Sequence, residues 1–357
     1  MVGRPVCGFL HDRFETQLRV SDLFGQDENK IAPHGPDSPC DKDRELECIL
    51  IGTGGMMPMP NRMLTSLAVR LNGRIYLFDA GEGTQINWKK GRIGVRGLDL
   101  IAVTHLHADH CLGIPGMIML RAQMEDPAPL TILGPPGIRE FITQSQRTLE
   151  YQVNFPIDII EWPSDNSGLA FSDAQARVLW QPVKHTRFCL GYRFEELDRP
   201  GKFNPGRALA LGVPMGPLWG KLQKGESVQT PSANIVQPSQ VLGPARRGRH
   251  IAFVVDTRPA PGVYALCKKA DLAFVEGMFL SEHSEHANVK GHMTVAQAAR
   301  IARKSEAARA VLVHISPRYE NSEIGKLEDE ARKEFQAVKI GRDLDVFEVS
   351  FPEETGR

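Results

Sequence analysis

The chemically richest part of the chain is the segment 104–110, THLHADH, which places three imidazoles and one carboxylate within six positions. It follows an apolar run that predicts a strand. Alternate side chains of an extended segment share a face, so His105 and His107 can reach a common point, with Asp109 and His110 at the following turn. Imidazole combined with carboxylate is typical of catalytic sites for zinc and related metals. The segment therefore predicts a metal-dependent hydrolase, the alternative being a chance polar loop or an adventitious metal-binding tract.

Further ligand candidates stand where predicted strands end. Four candidates come just past apolar runs: His185, Asp256, Glu276 and His314. One such histidine alone is more often a satisfied core residue, but several beside the first cluster favour a shared site. Seven ligands are too many for one tetrahedral zinc, and they suffice for two metals if one carboxylate bridges. The predicted metal ligands are His105, His107, Asp109, His110, His185, Asp256 and His314.

The elements that must position these residues are short strands mixed with helices. This pattern predicts an α/β layered domain, because strands and helices bury their apolar faces against one another. Regular structure is expected from about residue 44 onwards. The predicted strands are 46–51, 74–79, 98–103, 130–133, 177–183, 251–255, 272–275, 311–313 and 346–349, and the predicted helices are 112–123, 138–149, 295–304 and 323–336.

Composition limits the class of protein. The chain has 357 residues, a formal net charge of zero and 41% hydrophobic residues, which describes an ordinary globular protein without a global basic field. The six cysteines are far apart and form no CxxC pair, so we expect reduced thiols. No apolar stretch approaches a membrane span, and the N-terminus has no apolar signal region. A cytoplasmic protein without membrane association is expected.

Two stretches depart from this pattern. Residues 1–43 are polar and interrupted by Gly and Pro, which predicts a flexible extension. Residues 195–249 are rich in Gly and Pro and contain eight Lys or Arg against four Asp or Glu, a net charge of +4. A structureless stretch of this length inside a compact domain tends to be functional or disordered. A solvated linker is the alternative interpretation.

The histidine motif resembles the HxHxDH motif of the metallo-β-lactamase fold, an α/β fold of four layers, αβ/βα. More specifically, the chain is similar to the ribonuclease Z (tRNase Z) family of tRNA 3′-processing endonucleases in its short form. The similarity runs from about Leu46 to Val349, so it implies that residues 44–357 form one hydrolase domain with an inserted flexible arm at about 195–249. The specific motifs are FDAGEGTQ at 78–85, VDTR at 255–258, GHMT at 291–294 and HISPRY at 314–319.

The resemblance also implies how the ligands divide between two zinc ions, with manganese as the other metal considered. Two such metals can clamp the attacking and leaving oxygens of a phosphodiester hydrolysis. Asp109 would in addition orient the attacking hydroxide or accept its proton. The family pattern assigns His105, His107 and His185 to the first ion, Asp109, His110 and His314 to the second, and Asp256 to a bridging position.

His292 is not needed as a ligand and is the best candidate for a general acid, since an ordinary imidazole pKa near 6.5 suits proton donation. Its alternative is a structural residue at the start of the helix 295–304. The resemblance favours the catalytic role, with Glu276 holding the imidazole. The chain departs from the family at Val275, where many members have the His of a His-Glu-Ala-Thr motif. His283 and His286 are expected to lie in a solvated loop.

Within the basic stretch, residues 212–222 (GVPMGPLWGKL) resemble the Gly-Pro motif of the arm with which ribonuclease Z grips tRNA. Phosphate contacts from Lys and Arg read shape without reading sequence. In the family the arm serves the other subunit, which implies a homodimer. The predicted RNA-binding residues are Arg207, Gly216, Pro217, Lys221 and Lys224.

The leading functional hypothesis is therefore removal of the 3′ trailer from precursor tRNA, leaving a 3′-hydroxyl. A phosphodiesterase of the same fold that acts on small diesters or cyclic nucleotides is the alternative enzyme. A catalytically inactive RNA-binding subunit is a third possibility, and the retention of all seven candidate ligands argues against it.

Overall fold

The computed structural model describes residues 45–163 and 166–352. The prediction of a flexible extension at 1–43 concerns residues outside these ranges. The strands are β1 Leu46–Gly52, β2 Ser66–Leu71, β3 Arg74–Phe78, β4 Leu98–Ala102, β5 Leu130–Gly134, β6 Ile157–Glu161, β7 Gly168–Ser172, β8 Ala176–Lys184, β9 Phe188–Glu196, β10 Val228–Gln229, β11 Ile235–Val236, β12 His250–Val254, β13 Leu272–Glu276, β14 Ala310–Val313, β15 Val338–Ile340 and β16 Val346–Glu348. The helices are α1 Thr84–Lys90, α2 Ala108–Cys111, α3 Ile114–Arg121, α4 Ile138–Leu149, α5 Pro205–Ala210, α6 Pro217–Gln223, α7 Pro261–Cys267, α8 Ser284–Lys290, α9 Val295–Lys304 and α10 Ile324–Glu334.

Two seven-stranded mixed sheets face each other. The first has the order β16-β1-β2-β3-β4-β5-β6 and the second the order β15-β14-β13-β12-β9-β8-β7. Between them lies a core with aromatic contacts such as Phe78 against Phe253, whose ring centroids are 5.8 Å apart. A second core packs the outer face of the first sheet against α1, α3 and α4, and a third packs the second sheet against α7, α9 and α10. The predicted four-layer αβ/βα fold is confirmed.

The candidate site residues lie at the carboxyl ends of the parallel strands, at one edge of this sandwich. Asp79 directly follows β3, His314 directly follows β14, and Asp256 lies two residues after β12. All three have left-handed backbones, with φ of 57° for Asp79, 58° for His314 and 52° for Asp256. Such φ values are uncommon for residues other than glycine and cluster where surrounding structure enforces them. The sharp turn at each strand end makes these side chains converge.

The helix predicted over 112–123 is wrong in its extent. The chain instead forms α2 up to Cys111 and restarts as α3 at Ile114. Pro115 lies in the first turn of α3, where its missing N–H does no harm, and it could not continue an earlier helix. Seven of the described strands were not predicted: β2, β6, β7, β9, β10, β11 and β15.

The basic stretch 195–249 is a folded insertion with α5, α6 and the β10–β11 ribbon. Its own small core includes Val213, Leu222, Val228 and Val236, against which Trp219 packs. At its root Glu196 and Arg249, both 2% exposed, form a two-pronged ion pair with N–O distances of 2.7 and 3.0 Å. Part of the positive charge is therefore buried in the root and is not displayed on the surface.

The described residues include four of the six cysteines and ten α-helices. Cys48, Cys111, Cys189 and Cys267 are buried free thiols. Among the helices of 45–163 and 166–352, none combines the length and apolar character needed to span a bilayer.

Candidate metal centre

The structure brings all seven predicted ligands together at the strand ends. Each residue offers one nitrogen or oxygen atom, and within a cluster these atoms lie within 4.8 Å of one another. The clusters adjoin, and Asp256 contacts both. One cluster contains His105, His107, His185 and Asp256, and the other contains Asp109, His110 and His314.

In the first cluster, Nε2 of His105 lies 2.9 Å and Nε2 of His185 lies 3.4 Å from Nδ1 of His107. Oδ2 of Asp256 is 3.6 Å from both His105 and His185. Ligand atoms bound at about 2.0–2.1 Å around a tetrahedral ion are roughly 3.3 Å apart. The spacing therefore fits a divalent metal.

In the second cluster, Nε2 of His110 and Nε2 of His314 face each other at 3.3 Å, and each lies 3.1 Å from Oδ1 of Asp256. Oδ2 of Asp109 is 3.6 and 3.5 Å from the same two nitrogens. Within the described residues, Oδ1 of Asp256 is buried without a hydrogen-bond partner. A buried, unsatisfied carboxylate oxygen between two imidazole nitrogens is a cation site by its chemistry.

A further buried carboxylate, Asp79, orients both clusters. It accepts hydrogen bonds from Nδ1 of His110 at 2.7 Å and from Oγ1 of Thr104 at 2.8 Å, and Thr104 in turn contacts Nδ1 of His105 at 3.1 Å. Protons held on Nδ1 leave Nε2 of each ring free to bind a metal. Sequence reasoning gave Asp79 no role, although its place after β3 matches that of the other strand-end residues.

Backbone groups complete the support. Nδ1 of His185 donates to the carbonyl of Gly291 at 3.0 Å, and the amide of Met56 donates to Oδ2 of Asp109 at 2.8 Å. Gly55 lies against His314, because a Cβ at residue 55 would come within 2.6 Å of that ring. The 52–63 loop thus belongs to the site.

The electrostatics favour metal binding. Burial lowers the pKa of His105, His107 and His185, so these rings are neutral and can coordinate a cation. Burial also disfavours a charged His110, but the nearby carboxylates of Asp256 and Asp79 outweigh it and raise its pKa. The second cluster therefore attracts positive charge.

His292 lies beside both clusters, and its ring centroid is 5.0 Å from that of His185 and 5.3 Å from that of His314. Nδ1 donates to Oε2 of Glu276 at 3.1 Å. Thr294, and not His292, caps the start of α9. His292 is therefore near the start of the helix, as the structural alternative expects, but its contacts are with Glu276 and the metal clusters.

Val275, which stands where many family members have a histidine, faces away from the metal clusters on the other side of the sheet. Side chains alternate along β13, so Val275 packs in the outer core with the helices while Glu276 faces His292. The substitution leaves the contacts of Glu276 with His292 in place.

The metal ligands open into a cavity of about 700 Å³. Besides His292, three cationic or imidazole side chains that are not predicted ligands also line it: His286, Lys290 and Arg318. The predicted loop around His283 and His286 is wrong, because residues 281–283 form a 3₁₀ turn and α8 follows. Helical spacing of His286 and Lys290 was the signal that could have revealed this wall.

The predicted RNA-binding residues lie elsewhere, on the folded arm. None of them lines the cavity, and all five are exposed: Arg207, Gly216, Pro217, Lys221 and Lys224.

Comparison with known proteins agrees with this geometry. A family model described as beta-lactamase superfamily domain matches residues 74–204 and 228–315. The chain is 40% identical to ribonuclease Z of Treponema denticola over 84% of this chain and 96% of that protein, and 34% identical to ribonuclease Z of Enterococcus faecalis over 87% and 100%. The crystal structure of human tRNase Z, short form, has a TM-score of 0.62 at 24% identity, over 85% of this chain and 100% of that one.

The fold and the paired clusters define a metal-dependent hydrolase of the metallo-β-lactamase superfamily. Within that class the chain belongs to the ribonuclease Z family, because relatives of that name are 40% and 37% identical to it over 84% and 85% of this chain and over 96% and 95% of their own length.

Proposed function

We propose that this protein is an endoribonuclease that removes the 3′ trailer of precursor tRNA. The observation that carries the proposal is the pair of clusters sharing Asp256, with His292 beside them, in a chain of the ribonuclease Z family. The catalytic centre would be built from Asp109, Glu276 and His292 together with the metal ligands.

Two Zn²⁺ ions are the metals we propose, with Mn²⁺ as the other candidate. His105, His107 and His185 would hold one, Asp109, His110 and His314 the other, and Asp256 would bridge them. The bound ions would supply activation of water and neutralisation of charge on the phosphate. Imidazole-rich donor sets suit zinc, while affinity order and supply decide the metal in the cell.

The chain's own groups would move the protons. Asp109, fixed by the amide of Met56, orients the attacking water and accepts its proton. Water adds to phosphorus, and the bond from phosphorus to the 3′-oxygen breaks. His292 donates a proton to that oxygen, which gives tRNA a 3′-hydroxyl and leaves the phosphate on the trailer.

The arm would bind the body of the tRNA through exposed cations, since Arg207, Lys221 and Lys224 project from a folded unit. Phosphate contacts of this kind position an RNA without reading its sequence. A homodimer, in which the arm of one subunit serves the other, is part of the proposal. Sedimentation analysis of the purified protein tests it, and a monomer would contradict it.

The decisive experiment is cleavage of a 5′-labelled precursor tRNA with and without a chelator, with mapping of the new 3′ end. We expect metal-dependent cleavage at the trailer junction. Asp256→Ala should abolish cleavage and still bind tRNA. Hydrolysis of bis-p-nitrophenyl phosphate without any cleavage of precursor tRNA would instead support the small-diester phosphodiesterase.

A further inference from the structure

The wall of the cavity next to His292 carries positive charge that the metal-centred chemistry does not use. His286 and Lys290 lie one turn apart on α8, and Arg318 faces them from the segment after β14. Residues four apart on a helix share one face. These three side chains therefore point at one region of the cavity.

A buried aromatic ring fixes the arrangement. Phe279, 2% exposed, packs edge-on against His286 with centroids 5.3 Å apart, and Arg318 lies over it with its guanidinium carbon 4.9 Å from the centroid. An arginine stacked on an aromatic ring keeps its donors free at the edge. The ring thus holds one imidazole and one guanidinium in place.

The charges on this wall are not neutralised by the protein. In residues 45–163 and 166–352, His286, Lys290 and Arg318 have no carboxylate within ion-pair distance. Among the described residues that line the cavity, the carboxylates are Asp109 and Asp256, both of them predicted metal ligands. By contrast, Arg300 of α9 and Arg332 of α10 are paired with Glu334 and Glu328.

We propose that His286, Lys290 and Arg318 form a binding subsite for a second RNA phosphate, the one immediately 5′ to the cleaved linkage. The proposal rests on the proposed function. His292 would protonate the 3′-oxygen of the upstream nucleotide, so that nucleotide lies on the His292 side of the cavity. Helix α8 ends at Lys290, and Gly291 and His292 follow it directly, which places this wall beside the same nucleotide.

Two kinds of hydrogen-bond donor, charged and neutral, cooperate there. Arg318 and Lys290 are full cations. Partial desolvation and their charges lower the pKa of His286, so its neutral ring serves as a hydrogen-bond donor to the phosphate. A simple diester with one phosphate cannot use this wall, whereas a polynucleotide can.

The test combines protein variants with a substrate whose 5′-flanking phosphate is replaced by an uncharged methylphosphonate. With the normal precursor tRNA, Lys290→Ala and His286→Ala should each lower kcat/KM of the metal-loaded enzyme about tenfold, the usual size of a charge-assisted contact. With the neutral linkage, both variants should match the wild type. Lys304→Ala is the matched control, because Lys304 is likewise the last residue of its helix and lies outside the cavity lining.

The proposal would be overturned if Lys290→Ala and His286→Ala lowered kcat/KM equally on the normal substrate and on the substrate with the neutral 5′-flanking linkage. It would also be overturned if their loss of kcat/KM disappeared only when the 3′-flanking phosphate was neutralised. Binding of the mature tRNA product to the same enzymes, followed by fluorescence anisotropy, provides a second readout. If the wild type failed to cleave precursor tRNA, the proposed function would fall. The anisotropy measurement would still test the phosphate subsite. If the subsite exists, neutralising the last phosphodiester linkage of the mature tRNA must weaken its binding to the wild type but not its binding to Lys290→Ala.

Discussion

Glu276 accepts a hydrogen bond from Nδ1 of His292 at 3.1 Å and another from the amide of Met293 at 3.1 Å. The carboxylate is fully buried, and its other oxygen is bound by the amide of Thr257. Burial opposes a charged imidazole, but the carboxylate of Glu276 outweighs it and raises the pKa of His292 to about 9. His292 therefore carries the proton that a general acid needs at neutral pH.

The activity lost when the general acid His292 is removed should be restored by a substrate with a better leaving group. We expect His292→Ala to slow cleavage of precursor tRNA about 10²- to 10⁴-fold, the usual contribution of a general acid. A substrate with sulfur in place of the bridging 3′-oxygen leaves as a thiolate and needs no proton, so most of the deficit should vanish. Single-turnover rates on both substrates measure this.

His283→Ala is the control for that experiment, because His283 is nearby but does not line the cavity. Glu276→Gln should give a smaller loss with the same rescue. An unchanged deficit on the sulfur substrate would show that His292 does not act as the acid.

Excision of the arm should separate RNA recognition from chemistry. The amide of Gly243 donates to the carbonyl of Lys202 at 2.9 Å, so a short Gly-Ser turn can replace residues 203–242 and leave the Glu196–Arg249 pair intact. We expect kcat/KM for precursor tRNA to collapse while hydrolysis of bis-p-nitrophenyl phosphate persists. Undiminished cleavage of precursor tRNA would contradict the assigned role of the arm.

A point-substitution version tests the charges alone. The triple variant Arg207→Ala, Lys221→Ala, Lys224→Ala should weaken tRNA binding and reduce the slope of log K against log salt by about 2, as expected for three lost phosphate contacts. The same three-fold substitution at Lys268, Lys304 and Lys333, exposed on the outer helical layer, should leave the slope unchanged. Equal slopes in both triple variants would argue that the arm does not contact phosphates.

Asp79 should control metal affinity without being a ligand. Asp79→Asn removes an acceptor shared by His110 and Thr104, so we expect metal affinity to fall about 10- to 100-fold. Competition with a chromophoric chelator measures this directly. Asp99→Asn is the control, since Asp99 pairs with Arg74 away from the centre, and equal affinities in the two variants would refute the role.

The root of the arm should make stability depend on pH. Burial and the charge of Arg193 lower the pKa of His250 to about 4, from an ordinary value of 6.5. Between pH 6.5 and 4, His250 binds a proton in the unfolded chain but stays neutral in the folded protein. The free energy of unfolding should therefore fall as the pH falls from about 6.5 to about 4, by an amount on the order of 2–3 kcal/mol. Chemical unfolding of chelator-treated protein across that range tests it.

His250→Gln supplies the comparison for this pH series, because glutamine keeps an oxygen that can accept the hydrogen bond from Arg193 but does not titrate. The difference between wild type and variant removes the contribution of the other histidines. A difference that stays constant from pH 6.5 to 4 would contradict the assignment.

Much of the architecture could be predicted from local pattern. Apolar runs located the strand that ends in Glu276 and the two strands that precede Asp256 and His314, since buried parallel strands are nearly continuous in hydrophobic residues. Helix α4 was predicted to the residue. Strands such as β9, which contains Arg193, Glu195 and Glu196, were missed because buried ion pairs hide their burial in the sequence.

The sequence by itself determined the donor set, because residue type and the alternation of a strand already make His105 and His107 neighbours. It also determined the family, because several short motifs occur in one order along one chain.

Only the tertiary structure decided how distant strand ends meet. It set the left-handed backbones of Asp79, Asp256 and His314, and it linked Asp79 directly to His110 and through Thr104 to His105. It also brought His286, Lys290 and Arg318 together on one wall of the cavity. These relationships join residues up to more than 200 positions apart, as His110 and His314 are. The local sequence pattern determines which face of a strand or helix a side chain lies on, whereas the packing of the two sheets determines which distant residues it contacts there.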